Sequence, residues 1–197
     1  FLGTQRLLLK LSWFPLTKNN FYDSFIVTGG TTNMGTSTFR SFDNTPNYID
    51  IGSVEFYNLT FDGAVTGGTR SDTPLTVNGL FTSNGSQNGA ADVNAKGDVL
   101  FETTRTSFGV LHIVGNSNQT ITSTSSPYGQ DLIINSTGGT VTFDGSSTVI
   151  TGGIVDDKND FHHVILNSSV TQSTNAIEID GDFTINSSGS TWDTSNL

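Results

Sequence analysis

Along most of this chain, apolar side chains occupy every second position in short runs. Leu75 and Val77, Leu111 and Ile113, Val141 and Phe143, Ile177 and Ile179, and Phe183 and Ile185 each flank a single polar or charged neighbour, His112 included. A period of two sends alternate side chains to opposite faces of an extended strand. Asp-Gly, Asn-Gly, Gly-Gly and Ser-Ser-Gly clusters separate the runs and supply turns and positive φ. Helix formers are scarce and β-branched residues abundant, which favours strands. The pattern therefore predicts an all-β chain of many strands of about four to six residues. Two architectures suit it: a parallel β-helix, or β-solenoid, and an antiparallel β-sandwich.

Internal repetition favours the solenoid. FYNLTFDGAVT from Phe56 aligns with FHHVILNSSVT from Phe161, and LTVNGLFTSNGS from Leu75 with IEIDGDFTINSS from Ile177. DLIINS from Asp131 reads as a third copy of the first element. A strand, a polar turn and a second strand recur at LHIVGNSNQTIT from Leu111 and VTFDGSSTVIT from Val141. Stacked coils bury like residues on like and so retain a loose repeat, whereas a sandwich has no need of one. Coils of roughly 20–25 residues are expected, each rising about 4.8 Å. Thr120, Thr122 and Thr124, with Thr140 and Thr142, would form outward-facing rows. Their shortness, and the Asn, Ser and Gln among them, mark a solvated β face rather than an ice-ordering one.

The repeat begins near residue 51, and the charge balance changes there too. Residues 1–50 carry Arg6, Lys10, Lys18 and Arg40 against Asp23, Asp43 and Asp50, a net of +1; the remainder nets −11. The expected organisation is a non-repeat β segment over 1–50 and a solenoid repeat region over 51–197.

The order VTFDG, SSTVITGG, FHHVILN, IEIDGDFTINSSGSTWDTSN, from Val141 to Asn196, together with Phe56-Tyr57-Asn58-Leu59-Thr60-Phe61, resembles the modules of repetitive prokaryotic cell-surface β-helix proteins. The resemblance covers residues 51–197. It implies an extracellular protein of the adhesin, sheath or filament type, a partner of its own copies and of surface glycans, with no catalytic activity.

Composition narrows the reading further. Charged residues are 13% of the chain, about half the usual share, and the net charge is −10, which argues against nucleic acid as a partner. The absence of cysteine excludes disulfides, thiolate metal sites and thiol catalysis. The chain opens on Phe1, as a processed product or fragment would. The apolar run Leu7–Phe14 is too short for a membrane span and lacks the marks of a signal peptide.

Leu7, Leu9, Leu11 and Trp13 give that run one apolar face ahead of Pro15. As a cap, the strand would cover an open end of the solenoid; as a donor, it would complete the sheet of a neighbouring subunit. The densest polar cluster is Asp156-Asp157-Lys158-Asn159-Asp160 with His162 and His163. Acid–base or metal chemistry would need several of these on one face. Adjacent histidines on a strand point to opposite faces, so a solvated turn is the expectation. No resident cofactor is expected. Calcium is the ion the composition would suit, through Asp62, Asp144, Asp180 or Asp182, yet single Asp-Gly pairs are turn signals first. Six N-x-[ST] sequons, at Asn58, Asn84, Asn118, Asn135, Asn167 and Asn186, are candidate glycosylation points in a number close to chance. The competing functional class is a carbohydrate-binding or carbohydrate-cleaving β-helix, with Tyr128 and Trp192 as the aromatic residues it could use.

Overall fold

The computed structural model describes residues 7–8, 19–21, 25–26, 35–42, 47–50, 55–62, 69–71, 73–84, 91–102, 109–124, 131–134, 138–146, 149–151, 153–155, 163–167, 170–172, 181–186 and 191–193. These form strands and turns, with no helix among them. The strands are β1 (Leu7–Leu8), β2 (Asn19–Phe21), β3 (Phe25–Ile26), β4 (Thr38–Phe42), β5 (Asn47–Asp50), β6 (Asn58–Asp62) and β7 (Thr69–Arg70). They continue with β8 (Leu75–Val77), β9 (Phe81–Asn84), β10 (Val93–Ala95), β11 (Val99–Phe101), β12 (Leu111–Ile113), β13 (Gln119–Ser123) and β14 (Asp131–Ile134). The last are β15 (Thr140–Gly145), β16 (Val149–Thr151), β17 (Gly153–Val155), β18 (His163–Leu166), β19 (Val170–Gln172), β20 (Asp182–Ile185) and β21 (Trp192–Asp193).

Every strand pair is parallel, and the chain is a β-solenoid. The longest face is a nine-stranded sheet in the order β2-β4-β6-β9-β11-β13-β15-β18-β20. A second face is the five-stranded β8-β10-β12-β14-β17 sheet. Two further parallel sheets are β1-β3-β5-β7 and β16-β19-β21; β7 and β16 each follow a long-face strand and precede a second-face one. Successive coils are 18 to 24 residues long, from Leu75↔Val93 (93 − 75) to Phe25↔Ile49 (49 − 25). The sheet runs across residue 50 without a break, because β4 pairs with β6 from Thr38↔Asn58 to Phe42↔Asp62.

Parallel pairing in register turns the two-residue alternation into columns of like side chains. Phe39, Leu59, Phe81, Val99, Ile121, Phe143 and Leu166 follow one another up the long face, and all are buried. On the second face Leu75, Val93 and Leu111 form one column, and Val77, Ala95, Ile113 and Ile134 another. Each fully buried aliphatic or phenyl side chain contributes about 1.5–3 kcal/mol relative to exposure. The core is thus a strip along the solenoid axis.

A neighbouring column of the long face alternates large and small residues: Phe61, Ser83, Phe101, Ser123 and Gly145. Coils are only about 4.8 Å apart, so a small residue above and below each phenyl ring lets the column fill its space at native density. Phe61 also meets Phe81 of the adjoining column edge-on, with centroids 5.3 Å apart. The small partners are not all equally suited. Ser83 Oγ is buried and lacks a hydrogen-bond partner. Ser83→Ala removes that unsatisfied group at almost unchanged volume and is expected to raise stability by about 0.5–1 kcal/mol in denaturant unfolding. A loss of stability would show that the hydroxyl is satisfied in solution.

Candidate functional site

Two kinds of polar arrangement emerge once the columns are in place. The first recurs where strands begin. Asn58 Oδ1 accepts the Leu80 N–H at 2.7 Å, Asp98 Oδ1 that of Thr120 at 2.8 Å, and Asn118 Oδ1 that of Thr140 at 3.1 Å. Asp92 Oδ1 takes Val110 N–H at 2.7 Å on the second face, and His163 Nδ1 takes Asp182 N–H at 3.0 Å. In each case a side chain of one coil holds the entry backbone of the next, 18 to 22 residues on. A short Asx side chain has the reach for this and can act as acceptor to a nearby N–H. These contacts fix both coil length and register, and they point from each coil toward the following one.

Gln119 performs the related task inside a corner. It is buried, donates Nε2 to the carbonyls of Ala95 and Gly97 at 3.1 and 2.8 Å, and accepts the Gly115 N–H at 3.0 Å. Two of these bonds satisfy the turn backbone of Gly97 and Gly115, and the third joins the Val114 N–H on the Ala95 carbonyl.

The second arrangement is Glu55, Asn78 and Lys96. Lys96 Nζ lies 2.6 Å from Glu55 Oε1, and Asn78 Nδ2 donates to Glu55 Oε2 at 2.8 Å. The hydrogen bond from Lys96, with that from Asn78, holds the Glu55 carboxyl below its ordinary range. Both charged side chains are about two-fifths exposed. The Glu55 carboxyl is thus bound to donors from the coils of Asn78 and Lys96. It ties coils together at the surface. Because the folded pKa is lowered, the contribution is present above the ordinary carboxylate range and fades as pH falls through the folded value. Glu55→Gln is expected to cost on the order of 0.5 kcal/mol at about pH 7 and nothing at about pH 2, read from unfolding at both pH values.

The structure disperses the residues singled out from the sequence. Leu7 lies in β1, paired with Phe25, whereas Leu9, Leu11 and Trp13 fall outside the described residues. Asp156–Asp160 and His162 also lie outside; His163 is exposed on β18, its ring facing Asp182. Asp62 is engaged by Arg40 and by Asn84 Nδ2 at 3.2 Å, and Asp144 Oδ1 accepts the Gly145 N–H at 2.8 Å. Asp180 lies outside the described residues, and among those described no three His, Asp or Glu side chains converge on one ion position. Of the sequons, Asn58 gives its amide to Thr38 Oγ1 at 3.3 Å, Asn84 gives its amide to Asp62, and Asn186 donates to Asn167 Oδ1 at 3.2 Å. Asn135 lies outside the described residues, as does Tyr128; Trp192 belongs to β21. No helix among the described residues is long and apolar enough to cross a membrane.

Sequence inspection missed the Glu55–Asn78–Lys96 cluster and the entry acceptors. Their only signal is spacing by one coil, legible once the register is known. A third feature it missed lies on β20, the last long-face strand among the described residues: Phe183 and Ile185 are 43% and 49% exposed, although Val164 and Leu166, in register with them on β18, are buried.

Comparison of the chain with protein-family models, with curated proteins and with solved structures found no match in any of the three. The class that the geometry defines is the parallel β-solenoid.

Proposed function

We propose that this protein is an extracellular structural subunit that self-assembles into a surface filament, sheath or adhesive fibre, with its amino-terminal apolar strand contacting a neighbouring subunit. The observation that carries the reading is the nine-stranded parallel face, a stack that can lengthen at either end by adding one more coil in register. A parallel stack of this kind is stiff along its axis. A head-to-tail contact between unlike ends generates an open polymer rather than a closed ring when no rotation closes it. The low charge density and the polar Thr, Ser and Asn faces suit a scaffold, and surface glycans are the partners such a face would meet.

Deletion of residues 1–14 tests the reading. Electron microscopy of the intact chain is expected to show fibres, and of the truncated chain short or single particles. Fibres of unchanged length after deletion would remove the role of the amino-terminal strand, and an intact chain that stays monomeric at every concentration would remove self-assembly itself.

A further inference from the structure

Glu55, Asn78 and Lys96 bring a carboxylate, a carboxamide and an amine from three successive coils to one point of the surface. Phe56, next to Glu55, bridges Val77, and Val77 stands in register with Ala95. The three side chains therefore start from neighbouring positions of adjacent coils, one inter-strand spacing apart. Backbone bonds pin the two donors: Asn78 N–H donates to the Phe56 carbonyl and Lys96 N–H to the Val77 carbonyl, both at 2.8 Å. The carboxylate meets its two neighbours with different oxygens. Glu55 Oε1 lies 2.6 Å from Lys96 Nζ, and Glu55 Oε2 accepts from Asn78 Nδ2 at 2.8 Å. An ion pair alone would need only the first of these contacts. A nucleophilic nitrogen, an acyl carbon with its leaving nitrogen, and a carboxylate touching both nitrogens are the parts of an acyl transfer between side chains.

We propose that this cluster is a self-modification site, at which Lys96 Nζ displaces the side-chain nitrogen of Asn78 to form an amide bond between coils, with Glu55 as the proton carrier. The Lys96 ammonium passes a proton to Glu55 Oε1, and the freed amine attacks Asn78 Cγ. After a turn of the carboxyl, Glu55 returns that proton to Asn78 Nδ2 as the Cγ–Nδ2 bond breaks. The departing ammonia takes up the further proton that the attacking nitrogen sheds. An ammonium and a primary amide thus become a secondary amide and an ammonium ion, and Glu55 ends as the carboxylate it began as. The balance calls for no oxidant, reductant or co-reactant. Fixing the two partners in adjacent coils supplies the proximity that free side chains lack. The partial exposure of Glu55 and Lys96 gives ammonia a way out. The product ties together residues 18 apart (96 − 78) and locks their two coils covalently, where hydrogen bonds alone can open.

Intact-mass measurement of the full chain, freshly purified and after incubation at mildly alkaline pH, tests the proposal. The parent should lose the mass of one ammonia. Tryptic digestion should then leave residues 71–105 as one internally bridged peptide, uncut after Lys96. Glu55→Gln should slow the loss about a hundredfold or more. Lys96→Arg keeps the positive charge without the nucleophilic amine and should keep its full mass. Asn78 precedes Gly79, and ring closure by the Gly79 nitrogen on Asn78 would also release ammonia. If Lys96→Arg loses ammonia as fast as the parent, that closure is the reaction and the proposal is overturned. A parent chain that is folded by circular dichroism, keeps its full mass and yields no bridged peptide overturns it as well. A Glu55→Gln chain that links at the parent rate removes Glu55 as the carrier. Both substitutions fall on partly exposed side chains, so both variants should fold like the parent, and neither readout depends on whether chains assemble.

Discussion

Phe61→Ala is expected to lower the unfolding free energy by about 3–5 kcal/mol, the cost of removing a fully buried phenyl ring. The reason lies in its column. Phe61 is followed by Ser83, and its ring packs edge-on against Phe81 of the adjoining column. A serine cannot grow into the space, and the neighbouring phenyl is held by its own coil, so the cavity would stay open. The same alternation makes Ser83→Phe unacceptable: three consecutive rings at about 4.8 Å spacing would have to overlap or splay the coils. Urea unfolding of Phe61→Ala measures the first effect. A change below about 1 kcal/mol would mean that the column relaxes and that the large–small order is incidental.

Gly97→Ala should have the second-largest effect, about 3 kcal/mol, because the clash is between backbones. Gly79 and Gly97 occupy successive corners between the second face and the long face. A Cβ at Gly97 would overlap the carbonyl oxygen of Gly79 and lie 2.7 Å from that of Asn78. Neither oxygen can move without disturbing the corner bonds Gly79 N–H to Tyr57 O and Asn78 N–H to Phe56 O. Gly35→Ala is the internal control: its φ of +56° carries the strain of left-handed backbone, about 1–2 kcal/mol, but nothing lies within 4 Å of the added carbon. Thermal unfolding of the two variants separates steric from conformational cost. If Gly97→Ala proves no worse than Gly35→Ala, the corners are not packed as described.

The fold was legible because alternation and self-similarity speak to the same property, one buried face repeated along an axis. Leu75/Val77, Leu111/Ile113 and Val141/Phe143 all fall on inward positions. The coil itself was harder to see. The repeats read near 105 and 102 residues span several coils and are displaced by one inward position: Leu59 shares its column with Leu166, and Val164 stands one column over. A displacement of two residues keeps an inward side chain inward, so the pattern alone cannot detect it. In DLIINS, which reads as a copy of the Asn58 segment, Asp131–Ile134 instead lies on the second face. Alternation looks the same on every face.

The same limit hid the polar devices. Asn58, Asp98, Asn118 and His163 share no motif, since an amide, a carboxylate and an imidazole can each accept one N–H. Their common property is position at the start of a strand, one coil below the group they hold. The sequons illustrate the converse. Asn58 and Asn84 match a modification pattern, while their amides are used inside the stack. As for the amino-terminal residues, the change of charge near residue 50 is a property of composition, and the β4–β6 pairing passes straight through it.

The central claim is that successive coils lie directly above one another along a single axis, and paired spin labels test it most directly. The chain has no cysteine, so labels can be placed at will. Thr120 pairs with Thr142, and the same column continues through Ile165 to Thr184. One inter-strand spacing separates the first pair, about 5 Å between backbones, and three separate Thr120 from Thr184, about 14 Å. Labels on Thr120→Cys with Thr142→Cys should show strong dipolar broadening, and labels on Thr120→Cys with Thr184→Cys a weaker but measurable one. A Thr120/Thr142 pair with the spectrum of two independent labels would contradict the stack.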